Sequence, residues 1–250
     1  MFGFNDTDRE WKKWGEKDPF FAALTSLQYQ HGRNKEYFLK TGEQYFDRLI
    51  QKFTKLSIPL DKECVALDYG CGVGRILRPM SKYFKNSVGI DISESMLQEA
   101  RRNLIGEKAE LRLFDGKNLY KSLSDSRYSF IHSCLVFQHI RPKRGMIILE
   151  QLLEHLEFQG KALIQTPIAT NKKIRYFLNQ ILTSHPILYK LSNFLIKERE
   201  FTGPVKQMNI YLPDILIRLY DKLGIEVRGI SLSTDSDNYL ISASWYLYKS

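Results

Sequence analysis

Cysteine is scarce in this chain, with three residues in 250: Cys64, Cys71 and Cys134. They show neither metal-ligand spacing nor an even-numbered framework, which excludes a disulfide-stapled scaffold and leaves no metal site expected. All three sit in apolar or glycine-rich stretches, so buried free thiols in a reducing compartment are expected. Long apolar runs are also missing. None approaches the ~20 uncharged residues of a membrane span, so no transmembrane segment is expected. Met1 to Glu10 lacks the apolar centre of a secretory signal. Together these absences predict a cytoplasmic protein. There is also no long run of like charges, no internal repeat and no low-complexity linker.

What is present is the material of a folded domain. Hydrophobic residues make up 43% of the chain and aromatics 13%, enough to bury a sizeable core, and the length suits one large domain with elaborations. The formal net charge of +9 invites a nucleic-acid or anionic-membrane partner, but Lys and Arg are interleaved with Asp and Glu over most of the chain. A basic but otherwise ordinary enzyme is the expectation, with no DNA partner; RNA is left open, and the oligomeric state is not legible.

Residues 1–60 read as a helical N-terminal extension rich in aromatics, including Trp11, Trp14, Phe20, Phe21, Tyr29, Tyr37, Phe38, Tyr45 and Phe46. Asp18-Pro19 suits a helix start. From residue 61 short apolar runs alternate with helical segments, with strands expected at 64–68, 87–91, 110–114, 128–133 and 161–166. That alternation predicts an α/β fold with a parallel sheet and crossover helices on both faces. The ending differs. A helix through Ile215, Leu216, Leu219 and Leu223 leads to Gly224, and two strands at 225–232 and 239–248 follow, joined by turn chemistry alone. They should therefore pair antiparallel. Between the fifth strand and this ending lies an expected helical insertion, about 167–211. Two apolar faces mark it, one through Ile174, Phe177, Leu178, Ile181 and Leu182, the other through Ile187, Leu188, Leu191, Phe194 and Leu195. Its seven Lys and Arg against Glu198 and Glu200 give it +5 of the total charge. It is the expected cap over an acceptor.

The strongest motif is Asp68-Tyr-Gly-Cys-Gly-Val-Gly74, placed between a strand and a helix. Gly70, Gly72 and Gly74 allow a sharp turn and a close approach of ligand to backbone, and the helix that follows opens with unpaired N–H groups. Asp91 stands about 20 residues on, at the end of the next strand, where such sheets place the acid that binds ribose hydroxyls. A dinucleotide site uses Gly-x-Gly-x-x-Gly with no acid ahead of it. Here Asp68 precedes a Gly-x-Gly-x-Gly loop. A carboxylate repels a pyrophosphate and attracts an ammonium group.

On these residues the chain resembles the class I S-adenosylmethionine-dependent methyltransferases, over roughly 60–250. Val65 to Gly74 match that family's first motif, Val88-Gly-Ile-Asp91 its second and Phe114-Asp115-Gly116 its third. The resemblance implies a Rossmann-like seven-stranded sheet of order 3-2-1-4-5-7-6, mostly parallel with strand 7 antiparallel. It also implies S-adenosyl-L-methionine as cofactor. Carried over, Asp68, Gly70, Cys71, Gly72 and Gly74 would line the methionine moiety and Asp91 the ribose. Ile92 and Met96 would pack near the adenine, Asp115 and Gly116 would face it, and Ser133 and Cys134 would line the pocket at the end of the fourth strand. Asp115 in Asp-Gly has a second reading as a turn cap.

Methyl transfer from a sulfonium mainly requires positioning, with a base only where the acceptor must lose a proton. His139, just after the fourth strand, is the candidate base; packing or capping the next helix is its other reading. The Asn/Asp-Pro-Pro-aromatic segment of amine-methylating branches is replaced by Ser133-Cys-Leu-Val-Phe137. A small-molecule acceptor methylated at oxygen is therefore expected. An RNA methyltransferase and a noncatalytic cofactor-binding regulatory partner stay open as alternatives.

Overall fold

The computed structural model describes residues 7–184, 207–234 and 240–250. At its centre is β1 (Val65–Tyr69), a run of apolar residues buried on both faces, as a central parallel strand requires. It pairs in parallel with β2 (Asn86–Asp91) and β4 (Tyr128–Ser133), and β3 (Ala109–Leu113) continues the parallel set beyond β2. On the other side β5 (Leu156–Thr170) is parallel to β4, while β7 (Leu240–Lys249) is antiparallel to both β5 and β6 (Ile225–Thr234). The order is β3-β2-β1-β4-β5-β7-β6, seven strands in one sheet. This is the Rossmann-like arrangement expected, terminal hairpin included.

Helices cover both faces. On one, α6 (Leu119–Leu123), α7 (Pro142–Glu154) and α9 (Pro213–Lys222) bury Leu119, Leu149, Leu152, Leu216 and Tyr220 against the sheet. On the other, α3 (Lys35–Lys55) and α4 (Leu77–Tyr83) pack Phe46, Leu49, Phe53 and Met80 against Phe130 and Tyr246. The long amphipathic α3 is thus part of the main core. Ahead of it, α1 (Thr7–Lys17) and α2 (Pro19–Ala23) gather Trp14, Phe20 and Phe21 with Tyr29 and Phe38 around Val73 and Met96. Asp18 caps α2, one oxygen accepting from the N–H of Phe21 at 3.2 Å and the other from that of His31 at 2.8 Å.

Both ends of β5 lie outside the expected 161–166, and the strand begins already at Leu156, which the sequence assigned to the preceding helix. β5 runs to Thr170, because Pro167, Ala169 and Thr170 still pair with β7. The helical part of the insertion therefore begins only at α8 (Lys173–Ser184), whose Ile174, Phe177 and Leu178 are exposed. The second apolar face, 187–195, and most of the turn between β6 and β7 lie outside the described residues. No helix among the described residues is long and apolar enough to cross a membrane.

Candidate functional site

The first functional element is the turn from β1 into α4. Gly70 and Gly74 adopt φ of +76° and +81°, a conformation that an L side chain resists. A Cβ at Gly70 would also collide with Val136, whereas the space beside Gly72 is open. The N–H of Gly72 donates to Asp91 Oδ2 at 2.9 Å and that of Ser93 to Asp91 Oδ1 at 2.9 Å. Burial still dominates these bonds and pushes the Asp91 carboxyl up to about 6. Cys71 is buried behind the loop, its thiol raised well above the ordinary value by burial. Ser93 caps α5 (Glu94–Asn103) by accepting from Met96 N–H.

Around this turn the structure distributes the expected residues unevenly. Ile92 approaches Gly116 closely. Asp115 is exposed and accepts from the N–H groups of Lys117 and Asn118 at 2.8 and 3.1 Å, bonds that lower its carboxyl. The side chain thus closes its own turn. Met96 is buried in the N-terminal aromatic cluster. Ser133 donates its hydroxyl to the carbonyl of Tyr69 at 3.1 Å. Cys134 Sγ lies 3.2 Å from Gln165 Oε1, and burial raises its thiol. The same Gln165 oxygen holds the N–H of Leu135 at 2.9 Å, fixing a leucine at φ +63° just past β4. His139 is buried beneath Trp11, with ring centroids 4.7 Å apart. Its Nδ1–H donates to the Gln207 carbonyl at 2.8 Å, and its Nε2 accepts from the Gln138 amide at 3.0 Å.

Several residues at the site belong to none of the sequence motifs. His132 on β4 lies beside Asp68 on β1, with Nδ1 2.7 Å from Asp68 Oδ1, and Tyr45 of α3 reaches its Nε2 at 3.0 Å. The Arg75 guanidinium rests over the rings of Tyr45 and Phe38, at 5.8 and 6.0 Å. At the other end α1 spans the carboxyl ends of β3 and β4. Thr7 donates to the His139 carbonyl at 2.6 Å, and Asp8 accepts two bonds from Arg144 at 2.8 and 2.7 Å. Arg144 also donates to the Gly116 carbonyl at 2.9 Å, and a Cβ at Gly116 would strike Asp8. A histidine in an otherwise apolar buried strand was a usable clue to His132. Asp8 and Arg144, 136 residues apart, offered none.

A sequence profile described as a methyltransferase domain matches residues 66–160, from β1 into β5. The chain thus carries a methyltransferase domain, and its sheet order is that of the class I S-adenosylmethionine-dependent methyltransferases. Among solved structures, the methyltransferase is similar to the magnesium protoporphyrin IX methyltransferase of Synechocystis with bound S-adenosylmethionine (13% identity, all of both chains covered, TM-score 0.63). It is likewise similar to an S-adenosylmethionine-dependent methyltransferase from Anabaena variabilis (17% identity, 98% of this chain and 95% of that one, TM-score 0.59). A third, from Clostridium acetobutylicum, is 16% identical over 81% of this chain and 89% of its own (TM-score 0.56). At such identities the likeness is one of fold. No curated protein matches the methyltransferase in sequence.

The residues present fit the cofactor of this family. Asp68 takes its hydrogen bond from His132 on Oδ1, and Oδ2 makes no hydrogen bond to a described residue. Gly72 leaves open space where a side chain would stand, and Asp91 ends the adjacent strand. No cluster able to hold a metal ion occurs among the described residues.

Proposed function

We propose that the protein transfers the methyl group of S-adenosylmethionine to oxygen on a small molecule, chiefly by positioning the two reactants in line. The observation that carries this reading is α1 lying across the ends of β3 and β4, joined there through Thr7, Asp8 and Trp11. A site roofed by its own chain suits an acceptor that enters the fold better than a polymer laid on its surface. The Synechocystis neighbour, named for a porphyrin substrate, is consistent with an acceptor of this size.

S-adenosylmethionine, when bound, supplies a methyl group that is already activated. Asp68 would accept from the ammonium group through Oδ2, Gly70, Cys71, Gly72 and Gly74 would border the methionine chain, and Asp91 would accept from the ribose. Ile92 and Gly116 would flank the adenine, with Met96 and Asp115 behind them. Ser133 and Cys134 would form the floor beside the acceptor. The remaining task is to hold the acceptor oxygen within about 3–3.5 Å of the methyl carbon and exclude water. His139 is the candidate base, but both its ring nitrogens are engaged. It would accept a proton at Nε2 only after Gln138 releases that atom, so positioning alone is the favoured mechanism. The cap assigned to 167–211 starts at a groove lined by Thr170, Asn171, Lys172, Lys173, Ile174 and Leu178, a basic and apolar border suited to an amphipathic or anionic acceptor.

Calorimetric titration with S-adenosylmethionine, S-adenosylhomocysteine and NAD tests the cofactor. Transfer of a labelled methyl group to phenols, carboxylic acids or total RNA tests the acceptor. Micromolar binding of the first two ligands, with label in the small molecules, is expected. Label in RNA would replace this acceptor class, and binding of NAD alone would overturn the cofactor. Full activity in His139→Ala would leave positioning as the whole mechanism; lost turnover with intact cofactor binding would make His139 the base.

A further inference from the structure

Asp68 is 3% exposed and His132 1% exposed, so this is a carboxyl group and an imidazole in contact within the fold. Their strands are paired in parallel with Asp68 opposite His132, which sets the two side chains against each other on one face of the sheet. An ionised carboxylate can only accept, so the 2.7 Å bond requires a proton on His132 Nδ1. In the neutral ring Nε2 is then an acceptor, and Tyr45 O–H donates to it at 3.0 Å. The direction of every bond follows: Tyr45 to His132, His132 to Asp68 Oδ1. Burial raises the Tyr45 phenol well above its ordinary value, so it stays a donor. The Arg75 guanidinium over its ring adds a cation–π contact that holds the tyrosine in place.

We propose that His132, oriented by Tyr45, is a positioning residue that fixes the Asp68 carboxylate and leaves Oδ2 to take the ammonium group of S-adenosylmethionine. The inference rests on the reading of Asp68 given above. Without the Nδ1 donor, a buried carboxylate loses its only hydrogen bond from a described residue. It can then rotate out of position, which weakens its hold on a cation. The bond joins a donor to a charged acceptor, the stronger kind, so its loss is expected to cost about 10- to 100-fold in affinity. The outer link from Tyr45 is neutral, and its loss should cost only a few-fold.

The test compares two ligands on the full-length protein by calorimetry. S-adenosylhomocysteine carries the ammonium group, whereas methylthioadenosine shares the nucleoside and lacks the amino-acid end. His132→Ala should weaken S-adenosylhomocysteine about 10- to 100-fold and leave methylthioadenosine nearly unchanged. His132→Asn, whose amide nitrogen falls near the position of Nδ1, should restore most of the loss. His132→Gln, which reaches the level of Nε2 instead, should not. Tyr45→Phe should show a smaller effect with the same ligand preference. Equal weakening of both ligands in His132→Ala and His132→Asn would make the role merely structural and overturn the proposal, as would no weakening at all. Asp68→Asn separates the two readings. If it does not discriminate between the ligands, the ammonium assignment falls and this inference with it. If it does while His132→Ala does not, only the inference falls.

Discussion

Asp91 illustrates at the scale of one residue how a candidate cofactor contact works against stability. Three backbone N–H groups, from Gly72, Ile92 and Ser93, favour its ionised form, yet burial outweighs them and its carboxyl titrates at about 6. Between roughly pH 4 and 6 the folded protein therefore holds a proton that the unfolded chain releases. The stability this proton confers is present at low pH and is lost as pH rises through about 6. At neutral pH the ionised group is a net cost to the unliganded fold. Asp91→Asn is expected to raise the unfolding free energy by about 1–2 kcal/mol more at pH 7.5 than at pH 5, while weakening S-adenosylhomocysteine at least about tenfold. Urea unfolding at the two pH values checks the first effect, and calorimetry the second. Equal stabilisation at both would mean that the group does not titrate in this window. In the unaltered protein, cofactor affinity should fall below about pH 6 as Asp91 takes up its proton. The acids of the glycine turn were legible because each ends a strand and falls in a contiguous motif. Tyr45 and His132 were not read, because Asp68 meets them only across the fold, through a strand pairing 64 residues long in sequence and a helix further back still.

Elements show the same division. The antiparallel closing hairpin was readable because two apolar strands were separated by turn residues with no room for a crossover helix, and β6 and β7 do pair antiparallel. The extension of β5 to Thr170 was not readable, since its last residues owe their strand geometry to β7 alone. The placement of α1 was equally hidden. Its helical stretch is polar enough to suit many surfaces, and what fixes it over the site is a set of distant partners: His139 for Thr7 and Trp11, Arg144 for Asp8 and α5 for the close approach at Gly15. The Asp8–Arg144 pair is bidentate and partly shielded, which makes it worth more than an exposed ion pair. Asp8→Ala should therefore loosen α1 without disturbing the sheet. S-adenosylhomocysteine is expected to dissociate about 3- to 10-fold faster, with its association rate little changed. Stopped-flow displacement measures this directly, and an unaltered dissociation rate would remove α1 as the roof of the cofactor site.

For the whole molecule, the N-terminal segment divides in a way its uniform helical, aromatic sequence conceals. Phe46, Leu49 and Phe53 of α3 share a core with Ala66, Phe130 and Tyr246 of the sheet, so α3 is needed for folding. Trp14, Phe20, Phe21 and Tyr29 instead share a smaller cluster with Val73 of the glycine turn and Met96 of α5, both beside the candidate cofactor site. The aromatics before α3 thus pack on the candidate cofactor turn and not on the main core. Removal of residues 1–34 should leave a sheet that unfolds cooperatively with an unchanged strand signature in circular dichroism. It should lose at least about tenfold in affinity for S-adenosylhomocysteine, because Val73 and Met96 lose the surface that orders the turn. Removal of residues 1–60 takes Phe46, Leu49 and Phe53 as well, each a core aromatic or leucine whose deletion alone costs about 2–5 kcal/mol, and should yield no cooperative fold. The two truncations place the boundary between site and scaffold within the segment. If the shorter one binds S-adenosylhomocysteine as tightly as the whole chain, the N-terminal aromatics support nothing at the site and serve only to cover it.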